Sequence, residues 1–336
     1  MTQWLSDGLA QGLAFNAGEN FDPPTLVKGY YLQPDVSFGA GVVPLNKNQF
    51  PATPTLAGIG YSGSAFFPSS VMFPNFALHL RMGLPGNNDV YVRFADATTP
   101  PGYKISPTMT AAVQTNSYGA GLRHHFLGSD GWPNLVWGVH YNYVTGHVNL
   151  SGTESTQYTP TYGDLGALTG TIAWRLHSLG TDAIVYESFG GWTPYFGLGY
   201  NYATGSVTSN LLLTFPDVLT SPTYGSGSDK PEPNQGRAIL GSQYSFGTWS
   251  IFGDGEIKTI GSQPFQDYIA QIGAALPFEL GCGPRFFCHK KKTAAPRGSR
   301  RDGAASEEPW TEPATKPAAS PTPVQGTPSS GMIFWQ

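Results

Sequence analysis

At 336 residues, with 43 glycines, 29 prolines, 13% aromatic and only 12% charged residues, the chain is composed for many strands and turns rather than for charged helices. No apolar run reaches about 18 residues, which excludes a spanning helix but not a membrane crossed by strands, since those are only half apolar. Residues 1–281 carry 10 Lys and Arg against 18 Asp and Glu, and residues 282–336 carry 8 against 4; an acidic body lacking interleaved basic and aromatic residues argues against nucleic acid as a partner.

The opening TQWLSDGLAQGLAF sets Leu5, Leu9 and Leu13 at spacing four beside Trp4, predicting a short amphipathic helix. Such a helix either packs into a core or stops the mouth of a barrel, and residues 1–24 are assigned to it as a helix and plug segment. The N-terminus has neither the charged start nor the apolar stretch of a secretory signal.

From about residue 28 to 278 strand follows strand. Ten are expected, at about 28–43, 75–84, 89–97, 115–126, 134–149, 167–178, 192–207, 236–245, 248–259 and 267–278; 56–67 and 208–222 could add a pair and make twelve. Connections alternate between short ones, such as PGNND at 85–89 and GSDGW at 128–132, and long Thr/Pro/Ser/Gly-rich ones, with a middling link over 179–191. Bacterial outer-membrane barrels alternate short periplasmic turns with longer outer loops in this way.

Parity within the strands sharpens the assignment. A charge facing the bilayer midplane costs about 2–4 kcal/mol for Arg or Lys, so charged residues must take the lumen parity. In FALHLRMGL, Phe76, Leu78, Leu80 and Met82 oppose His79 and Arg81, and in DVYVRFA, Val90, Val92 and Phe94 oppose Arg93. Further along, Leu122 and Phe126 oppose Arg123 and His125; Ile172, Trp174 and Leu176 oppose Arg175; Leu240 and Tyr244 oppose Arg237; Ile251 and Ile257 oppose Asp254, Glu256 and Lys258. The expected lumen set, and the place to seek selectivity, is therefore His79, Arg81, Arg93, Arg123, His125, His140, Arg175, Arg237, Asp254, Glu256 and Lys258. Arg81 and Arg93 flank one turn and should lie near each other. The inward charges either fill a narrow lumen with ion pairs or form a constriction that selects solutes by charge.

One sentence is written twice. WGVHYNYVTGHV (137–148) and FGLGYNYATGSV (196–207) agree at seven of twelve positions. Trp137, Tyr141, Tyr143, Tyr200 and Tyr202 share the apolar parity and are expected to form an aromatic girdle near the outer interface, with Thr-Gly marking the exit into a surface loop. His140 takes the lumen parity where the second copy has glycine.

The last strand, YIAQIGAALPF, resembles the assembly signal that closes outer-membrane barrels, through Gln271, Gly273, Leu276 and Phe278, with Pro277 as a departure from the commonest form. GLAQGLAFNAGENF, MGLPGNNDVYVRF and YGAGLRHHF look like stretches of a family of uncharacterised bacterial outer-membrane barrels distantly similar to long-chain fatty-acid transporters, a likeness spanning most of residues 8–278. The resemblance implies barrel-assembly machinery and outer-membrane lipids as partners, and a helical opening that follows a cleaved signal, so that a signal is expected upstream of Met1.

After residue 280 the text turns to Pro, Ala, Ser and Thr without a period, the composition of a disordered tail (281–336), expected in the periplasm, where a basic spacer could touch peptidoglycan. Cys282 and Cys288 beside His289 lack two further ligands, so neither a metal nor a cofactor is expected. GYSGS at 60–64 lacks the last glycine of a nucleophile elbow, and no serine is tied by spacing to an inward histidine. The chain thus reads as an all-β, antiparallel transmembrane barrel of about 10–12 strands (25–280) in the bacterial outer membrane. It is expected to be not an enzyme but a channel or transporter for small, in part hydrophobic, molecules. The alternatives are a structural or adhesive barrel and an outer-membrane hydrolase.

Overall fold

The structure is a computed structural model that describes residues 1–279 except 20–21, 53–63, 65–66, 101, 130–131, 160–161 and 216–221, with side chains at 154–165 also outside the description. The tail expected over 281–336 and its cysteines lie outside the described residues, as does most of the candidate strand at 56–67.

After helix α1 (Thr2–Ala17) come strands β1 (Tyr31–Pro44), β2 (Ser70–Leu84), β3 (Asn88–Thr98), β4 (Lys104–Ser106), β5 (Met109–Phe126), β6 (Asn134–Thr159), β7 (Tyr162–Tyr186), β8 (Trp192–Thr214), β9 (Thr223–Asp229), β10 (Asn234–Ser245), β11 (Ser250–Ile260), β12 (Tyr268–Ala275) and β13 (Phe278–Glu279). Ten of them close a ring in the order β1-β2-β3-β5-β6-β7-β8-β10-β11-β12, every neighbour antiparallel, with β12 returning to β1 through Asp35↔Ala275 to Val42↔Tyr268. Closure leaves no sheet edge at membrane depth, which a bilayer requires because nothing there can satisfy a free N–H or C=O. β4 and β9 add short pairings to β5 and β8.

Short turns gather at the end of the barrel where β1 begins and β12 ends. In the β2–β3 hairpin Gly86 (φ 77°) and Asn87 (φ 60°) both take positive φ, as the tight hairpin turn that matches strand twist demands. Pro277 interrupts the last strand: Leu276 still donates to Pro34 O, and Phe278 resumes the ladder opposite Leu32 as β13. The residues 179–191, read from sequence as a connection, are mostly strand; β7 runs to Tyr186 because Gly180 and Asp182 are the small and polar residues an inward parity needs.

The outer wall near the short turns is apolar. Phe38, Leu78, Phe94, Leu122, Leu179, Phe196, Leu198, Leu240 and Ile272 are all exposed, a band that only lipid can cover. Tyr118, Tyr141, Tyr200 and Tyr202 rim its far side, and half-buried Tyr143 stands directly opposite Tyr118. Trp137 is the exception to the expected girdle. Three residues into β6, it lies at the short-turn side of the band, opposite His124 and two residues from the partner of Phe126 rather than among the tyrosines. From Leu135 to Tyr143 the lipid-facing stretch of β6 is nine residues, the length of one tilted crossing.

β6, β7 and β8 continue well past that. Beyond the tyrosines the two faces exchange character: on β7, Leu168, Ile172, Trp174 and Leu176 are buried inside while Thr171 and Arg175 are exposed outside. The Thr-Gly pairs of the repeated sentence are therefore not exits into loops. They mark where the wall leaves the lipid, and β6 and β8 run on to Thr159 and Thr214.

Candidate functional site

The lumen is occupied by the chain's own N-terminus. α1 lies in the upper half, where the wall is apolar, and packs through Leu5, Leu9 and Leu13 onto Val43, Met109, Val148, Leu168 and Val207. Because wall surrounds it, Ala10, Ala14, Phe15 and Ala17 on its other sides are buried as well, and the amphipathic pattern read from Leu5, Leu9 and Leu13 understates its burial. Gly12 comes so close to Val43 that a Cβ would collide with that side chain. At the mouth the Trp4 ring sets edge-on to Phe50 and Phe67 at 4.9 and 5.6 Å, and its indole N–H donates to Asn46 O at 3.0 Å. Ser6 and Ser209 share the polar link between helix and β8.

Below the helix, residues 18–19 and 22–30 lie on the way to the short-turn end, within a polar section of wall. Four of the inward arginines reach into this segment or the end of the helix. Arg237 donates to Phe15 O at 3.0 Å, lies 4.8 Å over the Phe15 ring, and pairs with Glu256. Arg93 pairs with Glu19, whose carboxylate also accepts from Asn75 and whose carbonyl accepts from Asn142 at 3.2 Å. Arg81 and Arg123 both donate to Pro23 O, at 2.8 and 3.2 Å. Arg81 and Arg93 thus hold different parts of the plug, because in register Arg93 faces His79 and Arg81 faces Tyr91.

The remaining inward groups complete the network. His140 Nε2 donates to Gly18 O at 3.2 Å with Asp182 at 3.3 Å from its other nitrogen, and Asn201 donates to Gly18 O and Ser178. Asp89 takes a two-pronged guanidinium from Arg123 (2.8 and 3.1 Å) and His125 Nε2 at 2.7 Å. Asp254 accepts from Tyr195 at 2.7 Å, and Lys258 pairs with Asp267 near the opposite mouth. Every one of these side chains is buried or nearly so, so each charge depends on a close opposite charge or hydrogen bond to be tolerated.

Asp22, Asp35 and His79 form the one group of three whose spacing could hold a metal ion among the described residues, with three donor atoms all within 4.8 Å of one another. His79 Nδ1 lies 2.7 Å from Asp35 and 3.1 Å from Asp22, joining plug to wall. Arg81, 3.7 Å from Asp35, already supplies positive charge there, so a proton on His79 balances the group as well as a cation does.

Arg175 must be corrected. It is exposed on the outer wall, and Trp174 and Leu176 take the inward positions beside it. The parity rule fails here because β7 at this height has water, not lipid, outside and an apolar helix inside. Gln271 and Gly273 face inward in β12, while Leu276 and Phe278 are exposed at its end.

The partners that turn the arginines into clamps were not found by sequence: Glu19 and Asp22 in the plug, Asp35, Asp89 and Asp182 in the wall. Asp35, Asp89 and Asp182 all sit on their strands' inward parity, and this was the available signal.

No protein-family model matches the chain, and no curated protein matches its sequence. Among solved structures, it is similar to the translocator domain of the autotransporter NalP from Neisseria meningitidis at 12% identity, covering 79% of this chain and 92% of that one with a TM-score of 0.35. It is also similar to the outer membrane protease OmpT from Escherichia coli (9%, covering 78% and 100%, TM-score 0.39) and to a Pseudomonas aeruginosa FadL homologue (9%, covering 82% and 98%, TM-score 0.25). The lipid-facing band and the ring closure stand on this chain's own geometry. It is a transmembrane β-barrel.

Proposed function

We propose that the chain is an outer-membrane barrel, short turns toward the periplasm, that is closed to hydrophilic solutes and takes small apolar molecules into its upper lumen. The filled polar section supports the first half of this reading: Arg81, Arg123, Arg93 and Arg237 hold the plug rather than line an aqueous path.

The observation that carries the second half is a cavity of about 60 Å³ beside α1. Leu13, Ala17, Phe73, Val144 and Trp174 line it from inside, and Pro74 and Asp96, which belong to the outer face of the wall, line it too. Pairing of β2 with β3 ends at Phe76↔Asp96, although β2 continues on β1 to Ser70 and β3 continues on β5 to Thr98. Pro74, lacking an N–H, sits above the last pair, on the part of β2 that pairs with β1 but not with β3. The seam offers a small apolar molecule a route between the lumen and the outer surface of the wall. Phe73 also lines a second, smaller apolar cavity with Leu5, Leu9 and Met109, so rotation of this one ring joins the two spaces.

The test is binding of xenon, a probe small enough for the cavity, to the full chain in detergent, read by its NMR chemical shift. Wild type should bind, and Ala97→Phe, which fills the cavity, should weaken binding at least tenfold. A chain that binds no probe, or an Ala97→Phe variant that binds as wild type does, refutes the uptake reading and favours a purely structural barrel.

A further inference from the structure

Of the five arginines first assigned to the lumen, four have a carboxylate or a plug carbonyl as partner. Arg175 has no carboxylate paired to it among the described residues, and it faces outward. Its position follows from register. Arg175 stands in one row of the outer wall with Thr145 of β6, Asn116 of β5 and Ser206 of β8. Two residues nearer the membrane, about 7 Å along the strands, comes the row of Tyr118, Tyr143 and His177. Tyr141, Leu179 and Tyr202 follow, already in the lipid-facing band. The nearest carboxylate of Arg175's own row is Asp96 on β3, three strands and about 14 Å away, and it accepts from Thr98.

This height is that of the bilayer headgroups, which extend about 5–7 Å beyond the hydrocarbon on each side. The wall is hollowed there. A groove of about 490 Å³ crosses β5 to β8, with Gly146 and Ala173 among its lining, Arg175 and His147 as its basic groups, and Gln114 and Thr208 adding polar groups beside the row of Arg175.

We infer that this groove binds the phosphorylated sugar headgroup of an outer-leaflet glycolipid. A planar guanidinium takes phosphate oxygens in pairs, and the amide and hydroxyl side chains around it suit sugar hydroxyls. The acyl chains of such a lipid continue down over Tyr141, Leu179 and Tyr202, so that one molecule spans the polar row and the apolar band. An anionic, amphipathic ligand matches both surfaces, which a free phosphate or a soluble sugar does not.

The inference rests on the outer-membrane placement proposed above, and the two are tested apart. Binding is read on the full chain refolded in detergent, by the shift of its melting temperature with added bis-phosphorylated lipid A, dephosphorylated lipid A, or inorganic phosphate. Bis-phosphorylated lipid A should stabilise wild type, the other two should not, and Arg175→Glu should weaken the response at least tenfold while Arg175→Lys keeps most of it. Retention of the heat-resistant barrel band on gels establishes that each variant is folded. Equal response of wild type and Arg175→Glu, or equal response to the dephosphorylated lipid, overturns the site. Stabilisation by inorganic phosphate alone replaces the lipid with a simple anion and also overturns it. Placement is read by fractionating cells that express wild type: recovery in the outer membrane without a lipid A preference refutes the groove alone, and recovery elsewhere refutes the placement and the groove with it.

Discussion

The ion pair between Glu19 of the plug and Arg93 of β3 offers a quantitative handle on how the lumen is closed. Both side chains are about 3% exposed, and Asn75 and Asn142 complete the polar contacts of Glu19. Glu19→Leu leaves the Arg93 guanidinium buried without its anion, a change that costs about 3–5 kcal/mol where one partner of a buried pair is removed. With about 1.4 kcal/mol for each factor of ten, the population of molecules whose residues 18–30 have left the wall rises by roughly two to nearly four orders of magnitude. Amide hydrogen exchange reads such minor open states directly. Protection over residues 18–30 should fall by that factor in Glu19→Leu, while protection over residues 4–15 of α1, held by apolar packing, stays near wild type. The double variant Glu19→Leu/Arg93→Leu buries no unpaired charge and should regain most of the lost protection. Unchanged exchange over 18–30 in the single variant would refute the ion pair as a latch. A double variant as open as the single would show that an uncompensated charge is not the cause.

Two further substitutions test the wall. Leu198, on the lipid-facing band of β8, and Asn210, on the same outward parity twelve residues higher, should respond oppositely to arginine. Leu198→Arg should lower stability in lipid vesicles by about 2–4 kcal/mol by urea unfolding, and Asn210→Arg should stay within about 0.5 kcal/mol; similar effects would mean that the lipid boundary is misplaced. Phe278, exposed and paired through its backbone with Leu32, should matter to assembly more than to stability. Phe278→Ala is expected to cut the folded barrel recovered from cells several-fold while leaving refolding in detergent unchanged, and an equal loss in both settings would assign the residue to stability.

The barrel was legible because lipid enforces a simple rule. A strand facing hydrocarbon can carry charge on one parity only, and Arg81, Arg93, Arg123 and Arg237 obey it along with Asp254, Glu256 and Lys258. The same rule misled at Arg175. Its segment alternates as cleanly as the others, and alternation alone does not say which face is wet; deciding that required the height of β7 relative to the tyrosines, which depends on register with β6 and β8. Strand length was underread for a related reason. The sequence beyond Thr145 and Thr204 is rich in Thr, Ser, Asn and Gly, composition that suits a loop as well as the water-facing side of a strand. The plug illustrates a third limit. Glu19 and Asp22 are ordinary surface residues by local pattern, and only the fold brings them against Arg93 and His79 across 74 and 57 positions of chain.

The exchange of faces along β6–β8 also bears on which part of the plug can move. The upper lumen is built as the core of a soluble protein is, with Leu5, Leu9 and Leu13 buried against wall residues such as Val207 and Leu168, so withdrawing α1 would expose apolar surface on both helix and wall at about 25 cal/mol for each Å². The lower lumen is different in kind. Gly18, Glu19 and Pro23 meet the wall almost entirely through hydrogen bonds and ion pairs, and water can replace most of those partners when the segment lifts. The polar stretch of residues 18–19 and 22–30 is therefore expected to open before α1, from the short-turn side, with α1 remaining seated beside its cavity. A barrel that opened in this order would present no continuous aqueous hole, in keeping with the proposed uptake of small apolar molecules at the β2–β3 seam.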